Sequence, residues 1–472
     1  MAYKQHNQTR HIPLPSKPPV LVKDWEAINK HIAEALSNEV LRVQRATKDL
    51  QIQRHDSIYT GISGIAMMEY HLAGISIPLQ HDALTPKSLI HVADQHLARV
   101  IRYRPPYVYS FNRLSFIESG VGIAALVLSR GLWTSEPTIV GNWKAAKDFL
   151  ESNVEQVLLE DAELYSPGEK EDGCEVLYGR AGLLYALLYL RNSISGKPHH
   201  EIASLENLTS DSNLARLVDS IMSRGKHGAF SLASEFRMDD QPQLPPLMWT
   251  WHRKRYLGGA HAGILQILLA CPGSIIQKHL SEILGTIRWL ITCQDEAGNW
   301  PSKCPTQRGV SSENELVQWC HGAPGVIILL STTLRVLHDH EGFAADGVRD
   351  DIVRSIQQGA RFVYKHGLLR KGVGLCHGVA GSVYALLAAS DALDSSSNKR
   401  FFAKAAHLAF LATLREDLTT SKEMLIPDHP WSLYEGIAGA CCAYAEVLSR
   451  LDSNDSRRSV SGFPGYNDFC GI

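Results

Sequence analysis

Residues 319–325 read WCHGAPG, and residues 375–381 read LCHGVAG. The pattern Cys-His-Gly-x-x-Gly thus occurs twice, 56 residues apart. Two copies at that spacing point to an internal repeat. The Gly-x-x-Gly core recurs along the chain, each time ahead of small and apolar residues. The copies are GISGIAMM from 61, SGVGIAAL from 119, GRAGLLYAL from 179, a degenerate GGAHAGILQIL from 258, GAPGVIILL from 322, GVAGSVYALL from 378 and GIAGACCAYA from 436. The interval is close to 58 residues, apart from about 20 extra residues between the third and fourth copies.

Each copy opens a stretch of helical periodicity rich in Ala, Leu and Ile that is apolar on most faces, as a buried helix is. Amphipathic stretches lie between the copies, at 24–50, 143–159, 350–365 and 399–415. Each unit therefore supplies one partly exposed helix, a loop and one buried helix. An open array of such pairs needs polar caps at its ends. The scarcity of polar residues on the glycine-started helices favours closure instead. The expected fold is all-α: an (α/α)7 toroid whose inner helices begin at the Gly-x-x-Gly turns. One such domain over 24–451 is expected, with a flexible segment 1–23, a tail 452–472 and an insertion within 194–257. A length of 472 residues alone would suggest several domains, and the unbroken repeat overrides that expectation. The inner-helix N-termini then gather at one rim, where free N–H groups and helix dipoles favour anions and thiolates.

The net charge of −2 gives no reason to expect attraction to nucleic acid or anionic lipid. No apolar run is long enough for a membrane span, and the N-terminus MAYKQHNQTRHIPLPSKPP lacks the apolar core of a signal peptide. Residue 2 is Ala, and Cys470 stands third from the end, so neither a myristoylation nor a prenylation signature is present. A cytoplasmic location is expected, with peripheral association at the plasma membrane as the other candidate. Nine scattered cysteines in a chain this long suggest reduced thiols rather than a disulfide framework.

Chemistry is expected where a turn carries more than glycine. Cys320, Cys376 and His377 offer two thiolates and an imidazole from adjacent repeats, a set that suits zinc with a fourth position open. Two buried cysteines in a repeat are the plain alternative. Both cysteines stand at helix starts, where the dipole lowers a thiol pKa. His321 precedes its glycine as His377 does, yet three ligands and a substrate fill a tetrahedron, so one of the two histidines stays off the metal. His261 is a candidate general acid or base on the fourth turn. Glu175 and Arg180, on the third turn, are either site residues or an ion pair that locks the rim. Lys371 is placed to bind a carboxylate or lower a thiol pKa, or is simply solvated. Asp428 lies on the loop entering the seventh turn.

Longer runs carry a resemblance. NWPSKCPTQRGVSSENELVQWCHGAPGV (299–326), RKGVGLCHGVAG (370–381) and PDHPWSLYEGIAG (427–439), with YLGGAH and LYGRAG, resemble the eukaryotic LanC-like proteins, relatives of bacterial lanthionine synthetase cyclases. The resemblance runs from the first turn to the seventh. It implies the seven-fold toroid and one zinc ion held by Cys320, Cys376 and His377. It implies glutathione as co-substrate, its thiol adding to dehydroalanine or dehydrobutyrine in a protein to form a thioether. It implies an acid–base role for His261, a proton-donor role for His321 and an acidic site residue at Glu175. Glutathione contacts are implied for Lys371 and the Asp428 loop, and Arg180 is a further substrate-binding candidate. The sequence departs from the resemblance at Leu425, where an Arg is usual. It departs again at the fourth turn, where HAGILQ replaces HGxAG and shifts the expected helix start. No N-terminal glutathione-binding Arg is matched, although Arg10 is available.

The expected activity is therefore C–S bond formation of the glutathione transferase type. The alternative is a zinc- and glutathione-binding adaptor or receptor-like signalling protein without turnover. Glycoside hydrolysis, which other α/α toroids perform with paired carboxylates, fits less well with Cys and His on the turns.

Overall fold

The computed structural model describes residues 9–15, 22–52, 56–75, 79, 81–103, 113–163, 173–195, 199–236, 244–251, 254–304, 316–339, 347–451 and 462–468. Long helices alternate along the chain. The outer series is α1 (Val22–Asp49), α3 (Pro86–Tyr103), α5 (Pro137–Glu163), α8 (Asp211–Ala233), α11 (Leu280–Thr292), α13 (Val348–His366) and α15 (Arg400–Thr413). The inner series is α2 (Ile62–Gly74), α4 (Gly120–Gly131), α6 (Arg180–Ile194), α9 (Gly263–Leu269), α12 (Ala323–Asp339), α14 (Val379–Leu393) and α17 (Ile437–Leu451). Shorter helices α7 (His199–Glu206), α10 (Gly273–Ile276) and α16 (Arg415–Thr420) lie in connections. The all-α toroid expected from the repeat is the fold observed.

Burial separates the two series. Every residue of α4 from Val121 to Ser129 is buried, as an inner helix with neighbours on all sides requires. On α13 the buried residues are Val348, Ile352, Ser355, Ile356, Gly359, Ala360 and Val363, the single stripe of a helix with one wet face. Inner helices pack in order, α4 on α6, then α9, α12, α14 and α17, and α17 packs on α2 and α1 to close the ring. Polar contacts reinforce that seam. His71 of α2 lies 3.3 Å from the buried Glu446 of α17, Arg450 bonds both Glu446 and Asp391 of α14, and Arg415 grips Glu39 of α1 at 2.8 Å.

The glycines explain the tight entry into each inner helix. A Cβ on Gly64, Gly122, Gly381 or Gly439 would stand 1.9–2.3 Å from the carbonyl oxygen six residues earlier. Only a residue without Cβ lets the chain fold back so closely. Consecutive turns are also tied by one backbone belt. Cys320 N donates to Cys376 O, Cys376 N to Tyr434 O, Tyr434 N to Tyr59 O and Tyr59 N to Ile117 O, at 2.8–3.4 Å. The Tyr434–Tyr59 bond joins the seventh turn to the first.

The fourth turn is the irregular one. Residues Gly258–Ala262 form a π-helical turn and α9 begins only at Gly263, in line with the shifted start expected there. Two terminal stretches dock on the ring. Ile12 N donates to Leu368 O and Arg370 N to Arg10 O, which attaches a piece of the N-terminal segment. Residues 462–468 are largely buried, with Phe463 and Tyr466 sealed. Among the described residues, no helix is long and apolar enough to cross a membrane, and eight cysteines are free thiols. Cys470 lies outside the described residues.

Candidate metal centre

The fifth and sixth turns bring Cys320, Cys376 and His377 together. Their donor atoms all lie within 4.8 Å of one another. Cys376 and His377 are buried and Cys320 is partly exposed, so the group opens to the rim on one side. In a tetrahedral zinc site, ligand atoms about 2.0–2.3 Å from the metal are spaced roughly 3.5 Å apart. Two sulfurs and one imidazole nitrogen are also the donor types zinc prefers, so the residues fit the ion.

Electrostatics point the same way. Burial pushes the Cys376 thiol well above its usual range, and the adjoining Cys320 sulfur adds to the shift. The dipole effect expected at this helix start is outweighed by desolvation. A buried Cys376 thiol that resists deprotonation needs a cation beside it to become a thiolate.

Residues without any motif signature complete the surroundings. The Tyr59 hydroxyl meets the Cys376 thiol, and its ring stacks on Tyr434 with centroids 5.0 Å apart. Glu435 Oε1 stands 3.9 Å from His377 Nε2. Glu118 bonds Ser57, and its carboxyl is pushed up to about 7 by burial, with Glu435 adding to the shift against Arg113. Glu118, Tyr178, His321, His377 and Glu435 each immediately precede the first residue of a Gly-x-x-Gly turn or its Ser variant. Tyr59, Cys320, Cys376 and Tyr434 stand one position earlier. The signal that finds them is therefore position within the turn, not residue type.

The other sequence candidates are dispersed. His321 leaves the cysteine pair and packs against Tyr256 with centroids 5.2 Å apart. Its pKa is lowered by burial, with the ammonium groups of Lys303 and Lys371 adding to the effect. Lys371 is exposed beside it, and Asp428 is exposed on the loop that packs against Gly372 through Pro427. Glu175 and Arg180 are both buried in the third turn. His261 stands 1% exposed, between Trp249 and Trp289 at 5.2 and 6.1 Å, with neither ring nitrogen hydrogen-bonded. Burial alone lowers its pKa to about 3. The end of the insertion does reach the rim. Trp251 stacks on Tyr178 at 5.5 Å and lies 5.6 Å from Tyr256.

Comparison with known proteins fits this arrangement. The family profile described as lanthionine synthetase C-like protein matches residues 53–464. The chain belongs to the lanthionine synthetase C-like family. Among relatives, the LanC-like protein GCL1 of Arabidopsis thaliana is 29% identical over 321 residues, 66% of this chain and 62% of that protein. Glutathione S-transferase LANCL1 of Danio rerio is 28% identical over 281 residues, 58% of this chain and 59% of that protein. The chain thus aligns with about three-fifths of the length of these two relatives. Nisin cyclase shares the fold with a TM-score of 0.54 at 15% identity, covering 91% of this chain and 98% of its own. Lanthionine synthetase C-like architecture and the seven-fold ring described above are one and the same.

Proposed function

We propose that Cys320, Cys376 and His377 hold one zinc ion, and that the protein adds the thiol of glutathione to dehydroalanine or dehydrobutyrine residues of proteins. The observation that carries the reading is the Cys–Cys–His group on a rim that opens to solvent. A relative named as a glutathione S-transferase and a fold neighbour named as a cyclase support it. Three protein donors leave one coordination position, where a zinc ion would hold an incoming thiol as thiolate at neutral pH.

The reaction needs no oxidant and has no leaving group. A C–S bond forms at Cβ as the Cα=Cβ π bond breaks, and the thiol proton ends on Cα. His321, adjacent to Cys320 and partly exposed, is assigned to move that proton. Lys371 and Asp428 are assigned to the carboxylate and ammonium ends of glutathione, the exposed opposite charges such a tripeptide requires. Glu175 and Arg180 hold the third turn, and Tyr59 fixes the Cys376 sulfur. His261 is the second candidate for the proton, favoured by its two unbonded ring nitrogens.

The test is to incubate a dehydroalanine peptide with glutathione and follow adduct mass. Zinc-loaded protein is expected to accelerate the addition, and His321→Ala to slow it by about 100-fold or more with zinc retained. A slow His261→Ala beside a normal His321→Ala reverses the assignment. No acceleration by zinc-loaded protein overturns the enzyme reading in favour of a binding-only adaptor.

A further inference from the structure

Residues 462–468, GFPGYND, enter the ring rather than lying on it. The segment meets Ile117, Tyr185, Gly263, Trp319, Tyr384 and Tyr434, one residue from each of six repeats. It is braced as a compact turn. Asn467 Oδ1 accepts from Phe463 N at 2.7 Å, and Asp468 Oδ1 accepts from Gly465 N at 3.1 Å. Gly465 has φ +80°, and a Cβ there would stand 2.8 Å from the Tyr434 hydroxyl.

We infer that this segment is an internal plug that positions Cys320 and Cys376 from beneath, through Trp319 and Tyr434. The inference rests on the reading of those cysteines as zinc ligands. Trp319 directly precedes Cys320 and is fully buried. Its indole stacks on Phe463 with centroids 5.0 Å apart and meets the edge of Tyr466 at 5.1 Å. Tyr434 makes the second connection. Its hydroxyl donates to Pro464 O at 2.8 Å, and its carbonyl accepts from Cys376 N at 2.8 Å. Its ring stacks on Tyr59, whose hydroxyl meets the Cys376 thiol.

The physical need is plain. The two cysteines sit on separate loops, and a metal site holds affinity only when its ligands are kept within about half an ångström of the productive geometry. Loops do not supply that rigidity, whereas aromatic rings locked in a close-packed core do. Phe463 and Tyr434 are accordingly positioning residues.

Full-length Phe463→Ala, Phe463→Leu and Tyr434→Phe proteins test this. Zinc affinity is measured by competition with a chromophoric chelator, and ligand geometry by the thiolate-to-metal absorption of the cobalt(II)-substituted protein. Phe463→Ala is expected to bind zinc about tenfold more weakly or worse, with an altered cobalt spectrum. Phe463→Leu should restore part of both, and Tyr434→Phe should weaken zinc several-fold. Folded Phe463→Ala and Tyr434→Phe proteins with wild-type zinc affinity and cobalt spectrum overturn the inference, whatever their melting temperatures. Should Phe463→Ala fail to fold, Tyr434→Phe decides on the same two readouts. A wild-type protein that binds neither metal overturns the zinc site itself and this inference with it.

Discussion

The same tripeptide, Cys-His-Gly, is folded in two ways. In the sixth turn Gly378 has an extended backbone, φ −121°, and the following Gly381 makes the close approach to a carbonyl six residues back. In the fifth turn Gly322 itself makes that approach, to Leu316 O, and does so at φ +103°. Asn299 fixes the difference: its amide donates to Leu316 O and its carbonyl accepts from Ala323 N, which also starts α12. Both cysteines still reach one point. The histidines part company, His377 joining the sulfurs with Glu435 behind it, His321 turning to Tyr256. What a motif residue does is set here by the handedness of the glycine after it.

The largest effects that sharpen this contrast concern the metal. Cys320→Ala and Cys376→Ala should each take zinc from about one per chain to near zero by elemental analysis, since two donors cannot complete a structural site. A full complement in both would overturn the zinc site. Next, His377→Ala should weaken zinc by about 100-fold, while His321→Ala should leave it within a few-fold. Equal losses in chelator competition would mean that the two histidines are interchangeable after all.

Backbone substitutions come third. Gly322→Ala meets both a left-handed conformation and a carbonyl 2.1 Å from the new Cβ, and should destabilise by about 2–4 kcal/mol in denaturant unfolding. Asn299→Ala removes two hydrogen bonds in a buried setting and should destabilise by about 1–3 kcal/mol. An unchanged unfolding midpoint in Asn299→Ala would show that the fifth turn keeps its shape without that clamp.

The effect smallest at neutral pH belongs to the fourth turn, where the histidine joins neither group. His261 has a native pKa near 3, below the usual 6.5 of an unfolded histidine. The unfolded chain therefore binds the extra proton first. Stability from this ring is complete above pH 6.5 and falls as pH drops toward 3, by up to about 1.4 kcal/mol per unit. His261→Phe should flatten the acid side of the stability profile over that window. An unaltered slope would place the ring in a wetter setting than the two indoles provide.

The repeat was open to reading because glycine at a tight turn and an apolar helix after it leave marks at fixed spacing. The metal group was open to reading for a related reason: Cys and His are rare enough to stand out on a turn. Tyr59, Glu118, Tyr178 and Glu435 are common residue types in unremarkable contexts. Only closure of the ring makes them neighbours, so their turn positions had to be aligned before they could be noticed. The direction of His261 was beyond periodicity, because a π-helical turn rotates side chains away from the α-helical register. The left-handed Gly322 was hidden for the opposite reason, since its sequence is indistinguishable from that of Gly378.

The backbone belt that ties Tyr434 to Tyr59 has a mechanical consequence. A linear stack of helix pairs has two free ends and loosens from them, one unit at a time. A hoop has no end at which to begin. Opening it at any link frees the next, so the units that the belt ties should stand or fall together. The two loops that carry the cysteines are links in that hoop, which adds the tie of the seam to the bracing they receive from the aromatic segment beneath them.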